Sequence, residues 1–331
     1  MKKLHLLCAV LCFCLLCGCT PVQSPEPGSS EQPYINQTPC IAILLKSFEN
    51  PYFHLIKAGA EAEADALGAQ VMVVFPNEET NTKDQTDMLH TLATMSVDVI
   101  AIAPSDITAL QEGFTLAQQN GKILMAIDTS LSYENCACSI GTDQYNAAYQ
   151  QGEYAASLVN AGSNAIILRG QKQDKTHTLR EYGLADALHN NGVQVLTTKS
   201  CNSSEKDAAN AMQELLDTYP IIDVVCVTSD RMAIGVQRVI EKSGRNIHIV
   251  SFDGMTDVCE LVRDGKMDAT FAQDPYLMGQ LCIRNAIKLM NKEQVPRTIY
   301  TDTKCITKSN AQSHITTLTK YLKREDMTPS R

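Results

Sequence analysis

The sequence lacks the features that mark several common classes of protein. It has no long basic block, and its 28 Lys and Arg residues are outnumbered by 37 Asp and Glu residues, which gives a net charge of −9. A nucleic acid is therefore not an expected partner. After residue 16 no segment reaches the ~20 consecutive apolar residues that a membrane-spanning helix needs.

Motifs of catalysis and of metal binding are also missing. The chain contains no GxGxxG, GxxxxGK, GxSxG or HExxH stretch. Asp128 and Asp253 could be imagined as a glycosidase pair, but they flank no obvious pocket for a leaving group. None of the cysteines after residue 39 belongs to a CxxC pair beside a histidine cluster, as a zinc site would require. The sequence predicts no enzyme, no metal site and no cofactor.

The sequence is rich in cysteine. Thirteen are present, and eight of them follow residue 39. Cys226 lies in an apolar strand pattern and Cys282 in a helix pattern, where a free thiol acts as a small hydrophobic group. Cys136 and Cys138 are too close in sequence for an easy disulfide in an extended segment. Mostly free thiols are predicted.

The N-terminus has the pattern of a secretory signal. Lys2 and Lys3 precede an uncharged apolar run from Leu6 to Leu16, so residues 1–18 are predicted to be a signal peptide. The apolar run ends in the stretch LCGC (residues 16–19), which resembles the lipobox of bacterial lipoproteins, with Cys19 as the lipidated residue. Simple secretion is the alternative. Residues 19–39 are rich in proline and predict a disordered tether. The expected location is extracytoplasmic, with a lipid anchor on the bacterial cell membrane.

The rest of the chain alternates between short apolar runs and helical patterns. Such alternation is typical of an α/β fold with parallel sheets covered by helices, and the number of runs indicates two sheets. A break is predicted near residues 139–152. Residues 297–307 are too polar for a central strand and suit a crossover between lobes. The nine predicted strands are 41–45, 70–75, 98–103, 122–127, 164–168, 193–197, 223–228, 247–252 and 268–273.

The first predicted helix begins with two adjacent aromatic residues, which helix formation alone does not explain. Asn50 can cap a helix and Pro51 suits its first position, while Gly68 is able to end it. Helix formation alone does not require Tyr52 beside Phe53, because adjacent helical residues do not share a face. One ring is expected in the core and the other over the end of the preceding strand.

Polar side chains follow most of the predicted strands, at the edge where open α/β sheets bind ligands. Each has an ordinary explanation as a helix cap, a turn or a surface residue. Together they form a ring of amides, carboxylates and forked donors beside aromatic faces, which suits a polyhydroxylated ligand. The residues are Lys46, Asn50, Tyr52, Phe53, Asp128, Arg180, Ser229, Asp230, Asp253 and Gln273.

The order of several stretches resembles the periplasmic ribose-binding proteins and their sugar-binding relatives, which share a fold with the effector domain of lac-repressor-type regulators. The resemblance covers roughly residues 40–307. It implies a type I periplasmic binding protein, in which two Rossmann-like lobes are joined by a three-crossover hinge and close on a sugar. The crossovers would fall near 141–143, 273–275 and 301–303. The stretches are IAILLKSFENPYF, DVIAIAPSD, KILMAIDT, TLREYGLADAL, VVCVTSDRMAIGV, IVSFDG and ATFAQDPYLMG.

The same resemblance implies lobe boundaries and ligand contacts. The N-terminal lobe would be 40–141 plus 275–301, and the C-terminal lobe 142–274 plus 302–331. Asn50, Tyr52, Phe53 and Asp128 would face the sugar from the first lobe, with at least one ring against sugar carbons. From the second lobe it would be Arg180, Ser229, Phe252 and Asp253, with Gln273 at the hinge.

Three positions depart from the ribose-binding pattern. Thr129 replaces an Arg, Ser229 an Asn and Lys46 a Ser. Thr129 and Ser229 are expected to leave more room and fewer donors, so a bulkier or differently substituted sugar is expected to bind better than ribose. Lys46 is expected at the rim, where it could reach a ring oxygen, a carboxylate or nothing.

The resemblance favours a monomeric lipid-anchored solute-binding protein that delivers a monosaccharide-like ligand to an ABC importer. The alternative is a sensory subunit that presents the sugar to a membrane kinase or chemoreceptor. A transcriptional regulator would need a DNA-binding segment in residues 1–39, where a signal and a tether are predicted instead. Pentose, hexose, furanosyl signal and sugar acid all stay open as ligands.

Overall fold

The computed structural model describes residues 38–131 and 133–325. The predicted signal peptide, Cys19 and nearly all of the tether lie outside the described residues. Within these ranges no helix combines the length and the apolar composition that spanning a bilayer demands.

Twelve strands form two sheets of six strands each, numbered here in chain order. The spatial order is β11-β5-β4-β3-β1-β2 in the first sheet and β12-β10-β9-β8-β6-β7 in the second. The strands are β1 Cys40–Leu44, β2 Gln70–Val74, β3 Val99–Ile102, β4 Ile123–Asp128, β5 Cys136–Thr142, β6 Asn164–Arg169, β7 Gln194–Ser200, β8 Val224–Val227, β9 His248–Asp253, β10 Ala269–Ala272, β11 Thr298–Thr301 and β12 Lys304–Thr307.

Helices connect the strands and cover the sheets. They are α1 Pro51–Leu67, α2 Thr82–Thr94, α3 Gln111–Gln119, α4 Gln144–Ser157, α5 Lys175–Asn190, α6 Glu205–Thr218, α7 Asp230–Ser243, α8 Thr256–Arg263, α9 Pro275–Met290 and α10 Ala311–Glu325.

The strand pairing shows the predicted two-sheet α/β architecture. All neighbouring strands are parallel except β10 and β12, which are antiparallel. The chain passes from one sheet to the other three times: after β5, after β10 and between β11 and β12. The predicted fold is confirmed, and each sheet with its helices is called a lobe below.

All nine predicted strands are present within a few residues of their predicted ends. Three further strands, β5, β11 and β12, do not stand among the nine. β11 and β12 lie at sheet edges, where one side of a strand needs no apolar cover, and this explains their polar sequences. β5 carries small and polar residues, so its apolar signal is weak.

Both faces of each sheet are buried. In β1, Ile41 and Ile43 pack in one hydrophobic cluster with side chains of α1 and α9, while Ala42 and Leu44 pack in another with side chains of α2 and α3. A strand buried on both faces has no polar side, and this is why Cys40–Leu44 reads as an unbroken apolar run.

Close contact between α1 and α9 fixes the position of the helix that carries the aromatic pair. A Cβ atom on Gly59 would lie 2.0 Å from the carbonyl oxygen of Tyr276, and one on Gly279 would lie 2.1 Å from that of Ile56. Only glycine permits this approach, which joins α1 to the helix that follows the second passage between the sheets.

The eight cysteines among the described residues are all free thiols, as predicted. Burial raises the pKa of Cys226 to about 12, so the thiol stays protonated and packs as an apolar group.

Candidate functional site

A small cavity lies between the carboxyl ends of the strands of the two lobes. Its volume is about 30 Å³, room for a few water molecules. Nine of the residues predicted to bind ligand line it. They are Lys46, Asn50, Tyr52, Phe53, Asp128, Arg180, Ser229, Asp253 and Gln273.

Asn50 both starts α1 and reaches the cavity. Its side-chain oxygen accepts a hydrogen bond from the backbone N–H of Tyr52 at 3.1 Å, which caps the helix. Its amide nitrogen donates to Oε1 of Glu79 at 3.1 Å. The predicted cap is confirmed, and the same side chain also lines the cavity.

The aromatic pair that follows is buried, with Tyr52 and Phe53 each 3% exposed. Their rings meet edge to face, with centroids 5.3 Å apart. The Tyr52 hydroxyl donates to Oδ1 of Asp128 at 2.9 Å, and burial raises the pKa of this phenol well above its usual range. The expected division, one ring in the core and one over the strand end, is wrong: both rings pack in the core and both line the cavity.

Two aspartates end strands on opposite sides of the cavity. Asp128 ends β4 of the first lobe with φ of 64°, and Asp253 ends β9 of the second with φ of 121°. Non-glycine residues seldom adopt such backbone angles, and those that do cluster at binding and catalytic sites. The strained backbone aims one carboxylate from each lobe at the same space.

The surroundings of the Asp253 carboxylate shift its pKa. Burial away from water raises its pKa to about 6, the charge of Asp128 adds to this rise, and the guanidinium of Arg180 opposes it. The Arg180 Nη1 donates to Asp253 Oδ1 at 3.1 Å, and the Gln273 amide donates to the same oxygen at 2.9 Å.

Arg180 is held on four sides. Its Nε donates to Oε1 of Gln144 at 2.8 Å, its Nη1 also donates to the carbonyl of Thr228 at 2.7 Å, and its guanidinium carbon lies 3.9 Å from the centre of the Phe252 ring. With 3% exposure, it is a buried residue of the cavity wall.

The predicted orientation of α5 is wrong. The helical spacing of Leu179, Tyr182, Ala185 and Leu188 predicts that these residues form the buried side of α5, but Tyr182 is 55% exposed. The buried face instead includes Arg180, Gly183, Leu184, Ala187 and Leu188. The helix rotates this way because Gly183 packs against the backbone of α4: a Cβ there would lie 2.3 Å from the carbonyl oxygen of Tyr145.

The hydroxyl of Ser229 is buried at the cavity wall without a hydrogen-bond partner among residues 38–131 and 133–325. Ser229 precedes α7, yet its side chain makes no capping hydrogen bond. The explanation of Ser229 as a helix cap is therefore unsupported. A buried polar group is normally satisfied, so this hydroxyl is a candidate ligand contact.

The sequence predicts Lys46 at the rim of the cleft, but in the structure this side chain is buried. It is 3% exposed, and its Nζ lies 2.6 Å from Oδ2 of Asp174 and 3.5 Å from Oδ2 of Asp128. Burial disfavours the charged ammonium, but Asp174 and Asp128 outweigh it and raise the pKa of Lys46.

Thr129 and Phe252 do not line the cavity. The Thr129 hydroxyl donates to Oδ2 of Asp128 at 2.9 Å and lies 2.9 Å from the hydroxyl of Thr176 in the other lobe, while the ring of Phe252 lies under Arg180. The Thr176 hydroxyl therefore occupies space next to Thr129 that the sequence predicts to be open. Both residues position groups that do line the cavity.

Several lining residues were missed by sequence reasoning. His177 accepts or donates through both ring nitrogens, to Thr228 Oγ1 at 2.8 Å and to Ser203 Oγ at 3.2 Å, and burial lowers its pKa to about 3. Most of the missed residues lie in loops or at the starts of helices, where no apolar periodicity indicates the direction of a side chain. The one available signal was the Asp-x-Thr pattern at Asp174, which is typical of a helix cap. The missed residues are Glu79, Thr176, His177, Ser203 and Arg231.

Gln273 connects the cavity to a passage between the sheets. It follows β10, donates to Asp253 and accepts a hydrogen bond from the hydroxyl of Thr142 at 2.8 Å. Thr142 ends β5, where another passage begins. Hydrogen bonds therefore link Asp253 to two of the three connections between the sheets.

Comparison with known proteins gives the same picture. A sequence profile for the periplasmic binding protein domain matches residues 41–294. The chain is 27% identical over 301 residues to the ribose import binding protein RbsB of Bacillus subtilis, covering 90% of this chain and 97% of that protein. It is 27% identical over 269 residues to the protein of the same name in Escherichia coli, covering 81% and 90%.

A solved structure shares the fold. An ABC transporter periplasmic solute-binding protein from Actinobacillus succinogenes, crystallised with D-allose, superposes with a TM-score of 0.78 and 25% identity, covering 83% of this chain and 100% of that one.

Proposed function

We propose, since the chain belongs to the periplasmic binding protein domain family, that it captures an uncharged monosaccharide between its two lobes and delivers it to the permease of an ABC importer. It is a binding protein of the ribose-binding type rather than an enzyme, in keeping with the relatives it matches.

One observation carries the proposal: both lobes contribute polar groups to a single cavity. Asp128 and Asn50 come from the first lobe, Asp253, Arg180 and the unpartnered Ser229 hydroxyl from the second. Carboxylates accept from hydroxyl pairs, and guanidinium and amide groups donate to sugar oxygens. A ligand bound to both sets stabilises the closed arrangement of the lobes.

The charge balance favours an uncharged ligand over a sugar acid. Every cation lining the cavity is paired with a carboxylate, and three carboxylates of Glu79, Asp128 and Asp253 also face it. An anionic ligand would be repelled by these carboxylates and would compete with them for the cations. The cation–carboxylate pairs are Lys46–Asp174, Arg180–Asp253 and Arg231–Glu49.

A thermal-shift screen of residues 35–331 against neutral monosaccharides and sugar acids tests the proposal. At about 1 mM sugar, a micromolar site adds about 4 kcal/mol of stability, which is easily seen. At least one neutral sugar should raise the melting temperature. Shifts with sugar acids alone would contradict the uncharged class, and no shift with any sugar would contradict the proposal itself.

Sugar affinity should depend on pH through Asp253. Its raised pKa of about 6 means that the carboxylate takes up a proton below that value and then accepts hydroxyl hydrogen bonds poorly. The dissociation constant should rise as pH falls through about 6, by up to about tenfold per unit below that value. Calorimetric titrations between pH 5 and about 8 measure this.

The stability of the unliganded protein should respond to the same group with the opposite sign. The folded state holds the Asp253 proton more tightly than the unfolded chain, whose Asp pKa is about 3.9. This contribution is fully present below about pH 4 and is lost as pH rises through about 6.

The variant Asp253→Asn tests whether Asp253 causes the pH dependence of sugar binding. Its sugar affinity should be weak at every pH, and the change in affinity near pH 6 should vanish. If the change near pH 6 is retained, another group causes it.

Membrane attachment is proposed through Cys19, supported by the lipobox-like LCGC stretch and the proline-rich segment after it. Acylation contributes about 0.8 kcal/mol per buried methylene, so several chains would hold the protein on a membrane. Cys19→Ser should release the protein into the soluble fraction or leave the signal uncleaved, as fractionation and mass spectrometry will show. Unchanged processing and attachment would contradict the lipid anchor.

A sensory role is the second candidate for the bound form. An importer component and a sensor would use the same sugar site, so the identity of the partner protein distinguishes the two functions. Cross-linking of the sugar-bound protein in its native membrane should capture a permease; capture of a kinase or chemoreceptor would favour the sensor.

A further inference from the structure

Asp230 is a buried aspartate that does not line the cavity, although its position shortly after β8 predicts a site residue. It is the first residue of α7 and is 1% exposed. A carboxylate so far from water needs hydrogen-bond partners. One of them is the hydroxyl of Ser251 in β9, which donates to Oδ1 of Asp230 at 2.5 Å. The others connect Asp230 to the end of that strand.

These further partners hold residues 253–255, called the β9 turn below. Oδ2 of Asp230 accepts from the backbone N–H of Met255 at 2.6 Å. Its Oδ1 accepts from the hydroxyl of Thr270 at 2.8 Å, and Thr270 Oγ1 in turn accepts from the backbone N–H of Gly254 at 3.2 Å. Asp230 is therefore linked to both backbone N–H groups that follow Asp253, one directly and one through Thr270.

The β9 turn carries the unusual backbone angles of the binding site. Asp253 has φ of 121° and Gly254 φ of 78°, and a non-glycine residue keeps such an angle only where the surrounding structure holds it. A Cβ on Gly254 would lie 2.2 Å from the Cβ of Ala272, so the turn lies tightly against β10. The carbonyl of Gly254 accepts from Nε2 of His314 in α10 at 2.9 Å. The N–H groups of the turn are thus held through Asp230, and this carbonyl by His314.

We propose that Asp230 is a positioning residue for sugar binding: it holds the β9 turn so that the carboxylate of Asp253 faces the cavity. This inference rests on the proposed sugar-binding function. Without Asp230, the N–H of Met255 loses its acceptor, and the backbone at Asp253 can relax toward a more common angle. The Asp253 carboxylate then leaves its place beside Arg180 and Gln273. Asp230 does not contact the sugar and acts on it only through Asp253.

An amide can replace the Asp230 carboxylate. The N–H of Met255 requires an acceptor oxygen, whereas the hydroxyls of Ser251 and Thr270 can turn to accept from an NH₂ group. Burial and the charge of Asp253 raise the pKa of Asp230, so its surroundings favour a neutral side chain. Asp230→Asn is therefore expected to keep the β9 turn in place, and Asp230→Ala to release it.

Calorimetry of these two variants tests the proposal, with the neutral monosaccharide that gives the largest thermal shift as the probe. Asp230→Ala should bind it at least about tenfold more weakly than the wild type. Asp230→Asn should stay within about threefold of the wild type. Unchanged affinity in Asp230→Ala would overturn the proposal. So would an equal loss in both variants, because the hydrogen bonds to the turn would then not be what matters.

A double-mutant cycle separates positioning from a general loss of structure. In the background of Asp253→Asn, adding Asp230→Ala should lower the affinity by no more than about twofold, since the carboxylate that Asp230 positions is already gone. A loss by the same factor in both backgrounds would show that Asp230 supports the lobe as a whole, and would overturn the proposal.

Thr270→Val keeps the proposal testable if Asp230→Ala does not fold. It preserves the shape of the side chain and removes the hydroxyl that links Asp230 to the N–H of Gly254. Its sugar affinity should fall by about fivefold. Affinity equal to that of the wild type would show that this link does not position Asp253.

Asp257→Ala is the matched control. Asp257 is an exposed aspartate in the first turn of α8, two residues after the β9 turn, and its loss should leave sugar affinity unchanged. If the wild type binds no sugar, the proposed function fails and this inference falls with it. If the wild type binds sugar and Asp230→Ala binds it equally well, only the inference fails.

Discussion

Arg180→Ala should abolish micromolar sugar binding and also destabilise the protein. The guanidinium faces the cavity beside Asp253, and two hydrogen bonds from a charged donor to a ligand contribute about 3 kcal/mol or more, which is about a 100-fold loss of affinity. Calorimetry at pH 7.5 or so measures the loss well above the Asp253 pKa.

The stability effect follows from the contacts of Arg180 within its own lobe. Removing the guanidinium leaves the buried carboxylate of Asp253 without its cation and the carbonyl of Thr228 without its donor. Breaking a buried ion pair from one side costs about 3–5 kcal/mol. If α5 had the orientation predicted from its sequence, Arg180→Ala would leave the stability of the unliganded protein unchanged. Because Arg180 is buried, we instead expect a clear drop in the denaturant concentration at the unfolding midpoint.

Two controls separate these effects. Arg238→Ala removes an exposed arginine of the same lobe, paired with Glu205, and should change neither binding nor stability. Arg180→Lys keeps a cation near Asp253 but loses the fork, so it should recover much of the stability and little of the binding. Normal sugar affinity in Arg180→Ala would remove Arg180 from the binding site.

Asp128→Asn should weaken sugar binding by about 10- to 100-fold while leaving the fold intact. The carboxylate accepts from Tyr52 and Thr129 and lies near Lys46. An amide of the same shape offers one acceptor oxygen and an NH₂ group that faces donors. Asn also tolerates the left-handed backbone at this position, with φ of 64°, so a loss of binding would not report misfolding.

The control for this variant is Asp65→Asn, a change of the same kind on the exposed side of α1 in the same lobe. It should bind sugar like the wild type. Equal affinities for Asp128→Asn and Asp65→Asn would show that the first lobe does not present Asp128 to the ligand.

Much of the fold was predictable because its signals are local. Buried parallel strands need unbroken apolar runs, and α1 carries its start and stop signals in Asn50, Pro51 and Gly68. Polar residues directly after strands were predictable as site residues for the same reason, since the carboxyl ends of parallel strands meet at one edge.

The parts that sequence did not predict depend on contacts between distant segments. The burial of Lys46 requires Asp174, 128 residues away along the chain. The face of α5 depends on how closely Gly183 approaches α4, and α5 has charged and apolar residues mixed around it. His177 lies in the first turn of α5 and Ser203 in the loop before α6, and at neither position does an apolar periodicity indicate that the side chain reaches the cavity.

Calorimetric titration of residues 35–331 with the neutral sugar that gives the largest thermal shift tests the central claim most directly. The account predicts one site per chain, a dissociation constant in the micromolar range or below, and a loss of at least about tenfold in both Asp128→Asn and Asp253→Asn, one carboxylate from each lobe. Binding that survives both substitutions unchanged would contradict a sugar held between the two lobes.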